Sequence, residues 1–211
     1  HTLVMTNQHL VEPVRQQLPS VPPEQIIGEP MKRDTAACIA LAASMIAEAD
    51  PEAIMLVLPA DHVISSHQQF QDCMRQGMQL IQQSPSRLVT FGIRPAYAAE
   101  SFGYVQRGEP LSDSNVAGAY RVKAFREKPD RQTAELYLQS GSYDWNSGIF
   151  MWRTGTILAA LRKFEPEMMK HIDAISATMG TPAFAHTLQS EFQKIEGRSI
   201  DYSVMERYHD V

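Results

Sequence analysis

Hydrophobic and polar positions divide the first 93 residues into alternating strand-like and helix-like segments. Short apolar runs predict strands at residues 3–6, 26–27, 55–58 and 88–93. Apolar residues at helical spacing predict helices over about residues 7–18, 34–47 and 65–81, with Asn7, Asp34 or Thr35, and Ser65 or Ser66 as N-caps. Strands that alternate with helices in this way predict a mostly parallel sheet with helices on both faces.

The second half of the chain has a different pattern. Further strands are predicted at residues 101–105, where a glycine enters the strand, at 120–125, which alternates, and at 145–152, which is rich in aromatic residues. Helices are predicted over residues 130–139, with Gly141 after them, around residues 157–161 and 168–179, and over 199–206; residues 110–118 are predicted as a loop. We therefore expect an α/β protein with a mostly parallel sheet, forming a single domain over residues 1–211.

Composition narrows the class of protein. The chain has 211 residues, of which 44% are hydrophobic, and this is typical of a globular domain. Its net charge of −5 and the lack of a long basic run argue against nucleic acid as a partner. No apolar run is long enough to span a membrane, and the start of the chain does not have the pattern of a signal peptide, so we expect no membrane partner.

The two cysteines, Cys38 and Cys73, both fall within predicted helices. Neither has the spacing of a metal site, and two cysteines do not make a disulfide framework. We expect small buried thiols in a reducing compartment, and therefore a cytoplasmic protein.

Asp61 follows the most apolar predicted strand, which should stop at Pro59 because proline cannot donate to a sheet ladder. Ligands and metals bind at this edge of open α/β sheets, and a carboxylate suits Mg²⁺. Asp61 could instead only cap the helix that follows, and the stretch alone does not decide between the two. His62 could be a base, but it has no paired nucleophile, which favours a structural role.

Three further places could carry chemistry. Glu127 and Lys128 end a strand before a proline, where a carboxylate suits sugar hydroxyls and an ammonium suits a phosphate; a solvated surface pair is the alternative. Asn146 is a polar amide in an apolar strand and could bind a ligand hydroxyl or be a satisfied core residue at a bulge. Gly103 and Tyr104 could form a pocket wall or a bulge.

The segment around residues 29–36 leads into a helix with a small apolar face. A helix N-terminus beside a sheet edge presents free N–H groups to an anion or to the edge of a base, and Arg33 lies next to it. An ordinary capped helix is the alternative. No Ser-His-Asp, Cys-His or zinc-ligand arrangement stands out anywhere in the sequence.

Five motifs occur in order over nearly the whole chain. They are Glu29-Pro30 with Arg33-Asp34-Thr35-Ala36, Leu58-Pro59-Ala60-Asp61-His62, Phe125-Arg126-Glu127-Lys128-Pro129, Trp145-Asn146-Ser147-Gly148-Ile149-Phe150, and Ser199-Ile200-Asp201-Tyr202-Ser203-Val204-Met205-Glu206. Each motif alone is weak, but the ordered set closely resembles the bacterial mannose-1-phosphate guanylyltransferases, or GDP-mannose pyrophosphorylases, of the sugar nucleotidyltransferase family.

The resemblance implies a Rossmann-like three-layer nucleotidyltransferase fold with a mixed, mainly parallel central sheet. It implies transfer of GMP from GTP to mannose 1-phosphate with Mg²⁺ as cofactor, giving GDP-mannose and pyrophosphate, and a possible homodimer. The implied roles are Asp61 as metal ligand, Glu127 and Asn146 on the mannose, Lys128 on its phosphate, Gly103 and Tyr104 on the sugar side, Glu29, Arg33 and Thr35 towards the nucleotide, and Asp201 in the pocket. Asp61 and Lys128 are the implied catalytic residues.

The sequence also departs from the family pattern. The family usually has Asn where this chain has Asp34, and Pro where it has Ala37. The Gly-rich triphosphate loop that begins the family's domain and a second metal-binding Asp at its other end are not found, so we expect a chain truncated at both ends. Two alternatives therefore stay open: a nucleotidyltransferase for another base or hexose, and a non-catalytic sugar-nucleotide-binding fragment.

Overall fold

The computed structural model describes residues 1–112 and 114–211 as a mixture of strands and helices; residue 113 of the predicted loop 110–118 lies outside the described residues. The strands are β1 (Val4–Asn7), β2 (Ile26–Glu29), β3 (Ile54–Val57), β4 (Val89–Ile93), β5 (Tyr104–Pro110), β6 (Tyr120–Arg126) and β7 (Tyr143–Arg153). The α-helices are α1 (Val11–Gln17), α2 (Asp34–Ala49), α3 (His67–Gln83), α4 (Arg131–Ser140), α5 (Thr154–Phe164), α6 (Pro166–Ser176) and α7 (Phe184–Phe192). A short π-helical turn, Asp201–Met205, follows α7.

These elements form two compact units. Unit 1 combines His1–Ala53 with Ile157–Val204, and unit 2 combines Ile54–Thr156 with Met205–Val211. No helix among the described residues is both long and apolar enough to cross a lipid bilayer.

In unit 1, β1 and β2 form a parallel pair in which Asn7 lies opposite Glu29. Helix α6 packs against α2 and α7. Five of the seven residues that α2 buries are alanines, and this lets neighbouring backbones approach closely. Gly28 is required in β2 because a β-carbon there would lie 2.7 Å from Val11 Cγ2 in α1.

In unit 2, the long strand β7 lies at the centre of a five-stranded sheet. It pairs with β3 and β5 along one edge and with β4 along the other, and β5 pairs with β6. All of these pairings are antiparallel. The expected mainly parallel arrangement is therefore not found in this sheet, although the mixed α/β class is confirmed.

The physical reason is the position of β7. Strands β3 and β4 both run antiparallel to β7, so they run parallel to each other, as a strand–helix–strand unit with α3 requires. Residues Ile149–Trp152 of β7 are buried, and a strand covered on both faces takes a central place. β7 therefore separates two strands that the alternating pattern alone would place side by side.

Local signals at element ends are largely confirmed. The side chain of Asn7 accepts the His9 N–H, and that of Asp130 accepts the Thr133 N–H at the start of α4. Gly141 ends α4 with φ +65°, which glycine adopts without strain. The sequence did not predict α7.

The two cysteines differ from the expectation. Cys73 lies on the exposed side of α3, and Cys38 in α2 is only partly buried by surface area. The expectation of two buried thiols was therefore wrong for Cys73, because its position on α3 falls outside the face formed by Gly77, Leu80 and Ile81.

Candidate active site

Gly103, Glu127 and Asn146 surround one small space in unit 2, where β5 begins and β6 ends. The backbone N–H of Asn146 donates to the carbonyl oxygen of Gly103 at 2.8 Å. A β-carbon built on Gly103 would lie 3.0 Å from Glu127 Oε2 and 3.5 Å from Asn146 Cβ. Glycine therefore keeps this space open, and a carboxylate and an amide beside it suit a ligand rich in hydroxyl groups.

Strand β7 bulges directly after Asn146. The register between β4 and β7 shifts at this point. The side-chain oxygen of Asn146 accepts the N–H of Gly148 at 3.1 Å, and Gly148 has φ +68°. Asn146 thus shapes the bulge with its own amide, as one of the two predicted readings expects, and bulges of this kind re-aim side chains beside ligand sites.

The end of β3 lies beside the same bulge. A β-carbon on Gly148 would lie 3.4 Å from Pro59 Cγ. Asp61 follows with a side chain that is 88% exposed, and its Oδ1 lies 3.9 Å from Nε2 of His62. Ser66 is the N-cap of α3, so Asp61 does not cap that helix and its carboxylate is open to a ligand.

Lys128 has a strained backbone. Its φ is +33°, which a residue with a side chain rarely adopts, and Pro129 follows it. Its Nζ lies 3.9 Å from Oε1 of Glu127, and both side chains reach solvent. Strain of this kind often occurs at ligand sites, where it aims a side chain.

Tyr104 does not offer its side chain to this space. The residue is fully buried, and its hydroxyl both donates to the carbonyl oxygen of Ala99 and accepts the Ala99 N–H, each at 2.9 Å. Its ring also packs edge-to-face with Tyr137 of α4. Only the backbone of Tyr104 can border this space.

A neighbouring aromatic cluster was missed by the sequence reasoning. Trp145 packs edge-to-face with Tyr97 and Phe102, with ring centroids 4.9 and 5.2 Å apart. Trp145 and Phe102 are chain neighbours of Asn146 and Gly103, so the cluster supports the wall on which those residues lie. Tyr97 belongs to a turn without periodicity, and no local signal links it to Trp145.

The described residues contain no group of three or more His, Cys, Asp and Glu side chains that could hold a metal ion. Asp61 offers one exposed carboxylate. This donor fits Mg²⁺, because that ion is commonly held by one or two carboxylates together with substrate phosphates and water. It does not fit an ion held by protein side chains alone.

The nucleotide-side residues of the prediction lie in unit 1, and Glu29 is the most perturbed of them. Burial raises the pKa of Glu29 to about 7, against a lowering effect of its hydrogen bond with the Cys38 thiol. Burial also raises the pKa of that thiol to about 12, with the nearby Glu29 charge adding to the effect. Oε1 of Glu29 is buried and has no hydrogen-bond partner among the described residues, so this carboxyl has acceptor capacity to spare.

Arg33, Thr35 and Asp201 come near one another in unit 1. The hydroxyl oxygen of Thr35 accepts the N–H of Ile200 at 2.8 Å, which places Asp201 next along the chain. The guanidinium of Arg33 donates to the carbonyl oxygen of Phe192 at 3.4 Å. The predicted site thus falls into two groups: Asp61, Gly103, Tyr104, Glu127, Lys128 and Asn146 in unit 2, and Glu29, Arg33, Thr35 and Asp201 in unit 1.

Named relatives align with most of the chain. It is 38% identical over 213 residues to mannose-1-phosphate guanylyltransferase 2 of Escherichia coli O157:H7, covering 97% of this chain and 44% of the relative. It is 41% identical over 186 residues to mannose-1-phosphate guanylyltransferase of Klebsiella pneumoniae, covering 88% of this chain and 39% of the relative. The chain therefore spans about two fifths of the length of these curated relatives.

Solved structures share the fold. A Helicobacter pylori protein described as mannose-6-phosphate isomerase aligns with all of this chain and 81% of its own, with a TM-score of 0.81 and 26% identity. A Thermus thermophilus protein described as mannose-1-phosphate geranyltransferase aligns with all of this chain and 72% of its own, with a TM-score of 0.77 and 24% identity. The second likeness concerns the fold alone.

The family model described as nucleotidyl transferase matches residues 1–188. This match and the relatives confirm the family resemblance that was inferred from the ordered motifs. Because the match spans most of its length, the chain belongs to the nucleotidyl transferase family.

Proposed function

We propose that this chain forms part of an enzyme that transfers GMP from GTP to mannose 1-phosphate, giving GDP-mannose and pyrophosphate. The observation that carries the proposal is the open space bordered by Gly103, Glu127 and Asn146, which has the chemistry of a hexose site. The relatives that are 38% and 41% identical bear the name of this activity, which supports the choice of sugar and base.

On the sugar side, Glu127 and Asn146 would bind hydroxyl groups of mannose. The ammonium of Lys128 would meet the phosphate of mannose 1-phosphate, and its exposure leaves it free to do so. Gly103 and the backbone of Tyr104 would border the ring. The 3.9 Å between Lys128 Nζ and Glu127 Oε1 lets one ligand carrying a hydroxyl and a phosphate reach both groups.

On the nucleotide side, Glu29, Thr35 and Asp201 would lie near the guanine nucleotide, together with the turn that contains Arg33. Oε1 of Glu29 is buried and lacks a hydrogen-bond partner in the described part of the chain, and this supports a ligand role, since a buried acceptor gains a partner when a ligand donates to it.

Asp61 would hold Mg²⁺ together with phosphate oxygens of the substrates. When bound, the ion would neutralise negative charge on the phosphates. Asp61 is suited to this by its exposure and by its place at the end of β3.

The reaction needs no protein nucleophile. An oxygen of the mannose phosphate attacks the α-phosphorus of GTP, and pyrophosphate leaves. The chain's own part is to align the two substrates and to place positive charge, such as that of Lys128, where negative charge develops. This accounts for a sequence without a nucleophile–base pair.

Pyrophosphate release tests the proposal directly. The full-length protein is incubated with Mg²⁺, mannose 1-phosphate and one nucleoside triphosphate, and we expect pyrophosphate and GDP-mannose with GTP. Asp61→Asn should abolish this turnover, whereas Asp72→Asn, which changes an exposed carboxylate on α3, should leave it intact. Release with UTP or dTTP but not with GTP would contradict the choice of base, and no release with any of the three would contradict the activity.

A further inference from the structure

The turn that starts α2 lacks a side-chain cap of its own. Arg33 occupies the N-cap position without a capping hydrogen bond from its side chain within the described residues, and Asp34 follows with φ +53°. The prediction that Asp34 or Thr35 is the N-cap of this helix was therefore wrong. The first N–H groups of a helix have no partner inside it and need acceptors from elsewhere; here another part of the chain provides one.

That part is the connector, defined here as residues 193–200, which joins α7 to the π-helical turn. The N–H of Ala36 donates to the carbonyl oxygen of Arg198 at 3.0 Å. The Thr35 hydroxyl oxygen accepts the Ile200 N–H at 2.8 Å. The connector thus caps α2 from outside through the Ala36–Arg198 backbone hydrogen bond, and the Thr35 side chain in return accepts an N–H of the connector.

Arg33 binds the chain where α7 ends and the connector begins. Its Nε donates to the carbonyl oxygen of Phe192 at 3.4 Å, and its Nη2 donates to that of Gln193 at 2.5 Å. The last carbonyls of a helix have no partner inside it and carry the negative end of the helix dipole, so a guanidinium suits them well. Close packing completes the contact, since a β-carbon on Gly197 would lie 3.4 Å from Arg33 Cα.

From these contacts we propose that Arg33 is a positioning residue: it ties the end of α7 and the connector to the entry turn of α2, and it does not itself bind the nucleotide. Its Nε and Nη2 donate to two backbone carbonyls, whereas the resemblance implied a contact with the ligand. That the turn receives a guanine nucleotide rests on the proposed function. The contact between α2 and the connector does not depend on the proposed function.

The tie is tested by amide hydrogen exchange without any ligand. Arg33→Met keeps a long apolar stem and removes the donors. We expect the amides of Ala36 and of residues 194–200 to exchange at least about fivefold faster, the effect of losing one or two hydrogen bonds. Arg15→Met is the matched control, because Arg15 also donates to a backbone carbonyl in unit 1, that of Pro23, but away from the connector. Unchanged exchange in Arg33→Met would overturn the proposal, whether or not the protein uses GTP.

The role towards the nucleotide is tested by the binding of GMP and GTP to the full-length protein. A positioning residue acts on the part that both ligands share, so Arg33→Met should weaken both by the same factor, about three- to tenfold. A residue that contacts phosphates should weaken GTP far more than GMP, and that result would overturn the proposal. If the unaltered protein binds neither nucleotide, the proposed function fails, and the exchange experiment still decides whether Arg33 is a tie.

A double variant shows whether Arg33 acts through the connector. Thr35→Val keeps the shape of the side chain and removes the acceptor for Ile200 N–H. If both residues hold the same segment, the double variant should change exchange and nucleotide affinity by clearly less than the product of the two single effects. Independent effects that multiply would mean that Arg33 acts elsewhere, and they would contradict the proposal.

Discussion

Gly103 and Glu127 lie so close together that a side chain at position 103 would have to displace the Glu127 carboxylate: a β-carbon on Gly103 would lie 3.0 Å from Glu127 Oε2. Gly103 also fixes Asn146, whose N–H donates to its carbonyl oxygen at 2.8 Å. Gly103 therefore has two roles: its carbonyl oxygen binds the neighbouring strand β7, and its lack of a side chain leaves space beside the Glu127 carboxylate. The two effects can be separated by experiment.

Gly103→Ala should impair sugar binding with little loss of stability. The new methyl group meets the far end of a flexible side chain, which can move, so we expect a melting temperature within a few degrees of the unaltered protein. The displaced carboxylate should raise KM for mannose 1-phosphate by about tenfold or more, because small misplacements at a site are costly. Steady-state kinetics and thermal melts measure the two quantities.

The double variant Gly103→Ala, Glu127→Gln is the control for this prediction. If the methyl group acts by displacing Glu127, its effect on KM should be small once the carboxylate has been replaced. An unchanged KM in Gly103→Ala alone would mean that this space does not receive the sugar.

Lys128 should show a stability cost that glycine relieves. With φ at +33°, a residue that has a β-carbon is strained, so Lys128→Gly should be about 1 kcal/mol more stable than Lys128→Ala. Both variants should lose use of mannose 1-phosphate while GTP binding changes less, because both lack the ammonium. Urea unfolding and binding measurements test the two parts.

Lys123, an exposed residue of β6, provides the matched pair for this comparison. There glycine should be less stable than alanine, because glycine weakens a strand. If glycine is less stable than alanine at position 128 as well as at position 123, the backbone at Lys128 is not strained.

Short-range features of the fold could be read from the sequence because their causes are local. Asn7 and Asp130 cap helices with their own side chains, and Gly141 ends α4 in the left-handed region that favours glycine. Both features depend on contacts between near neighbours in the chain. The family followed from the order of five short motifs over nearly the whole chain.

Long-range features could not be read in the same way. The place of β7 between β3 and β4 depends on pairings across roughly 50 to 100 residues, and no periodicity encodes them. The contact between Arg33 and the end of α7 spans a longer separation, 159 residues. The hydrogen bond of Cys38 with Glu29 joins a helix to a strand end, which makes a thiol that looked unremarkable part of the candidate site.

The two thiols should differ sharply in reactivity. Burial, followed by the nearby Glu29 charge, raises the pKa of Cys38 to about 12, so hardly any reactive thiolate forms there at pH 8. Cys73 is exposed on α3. Iodoacetamide should therefore label one site, Cys73, in the folded protein, and both sites after denaturation, as read by mass spectrometry. Native labelling in Cys73→Ala would contradict the environment assigned to Cys38.

Asp210 should stabilise unit 2 through a partly buried charge cluster. Its Oδ1 lies 3.2 Å from Arg121 Nη1 and 3.6 Å from Arg87 Nε, and the Arg87 side chain is only 6% exposed. Asp210→Asn keeps the shape but removes the charge that faces a buried cation, so we expect a loss of about 3 kcal/mol in the free energy of unfolding.

The comparison for Asp210 is Asp173→Asn, which removes an exposed partner of Arg162 at 2.8 Å. An exposed pair of this kind contributes at most about 1 kcal/mol. Equal losses in urea unfolding of the two variants would show that the Asp210 cluster gains nothing from its burial.

Glu29 should make stability depend on pH near neutrality. Burial raises the pKa of Glu29 from 4.5 to about 7 in the folded protein, so the folded state holds a proton more tightly than the unfolded state. Below about pH 4.5 Glu29 is neutral in both the folded and the unfolded state, so its burial carries no ionisation cost. The free energy of unfolding then falls as the pH rises from about 4.5 through about 7. Glu29→Gln cannot ionise, so its melting temperature relative to the unaltered protein should be higher at pH 8 than at pH 5. Cys38→Val removes the hydrogen bond that lowers this pKa, and it should move the pH-dependent loss to higher pH. A difference between Glu29→Gln and the unaltered protein that stays constant from pH 5 to pH 8 would show that the carboxyl is not held neutral in the fold.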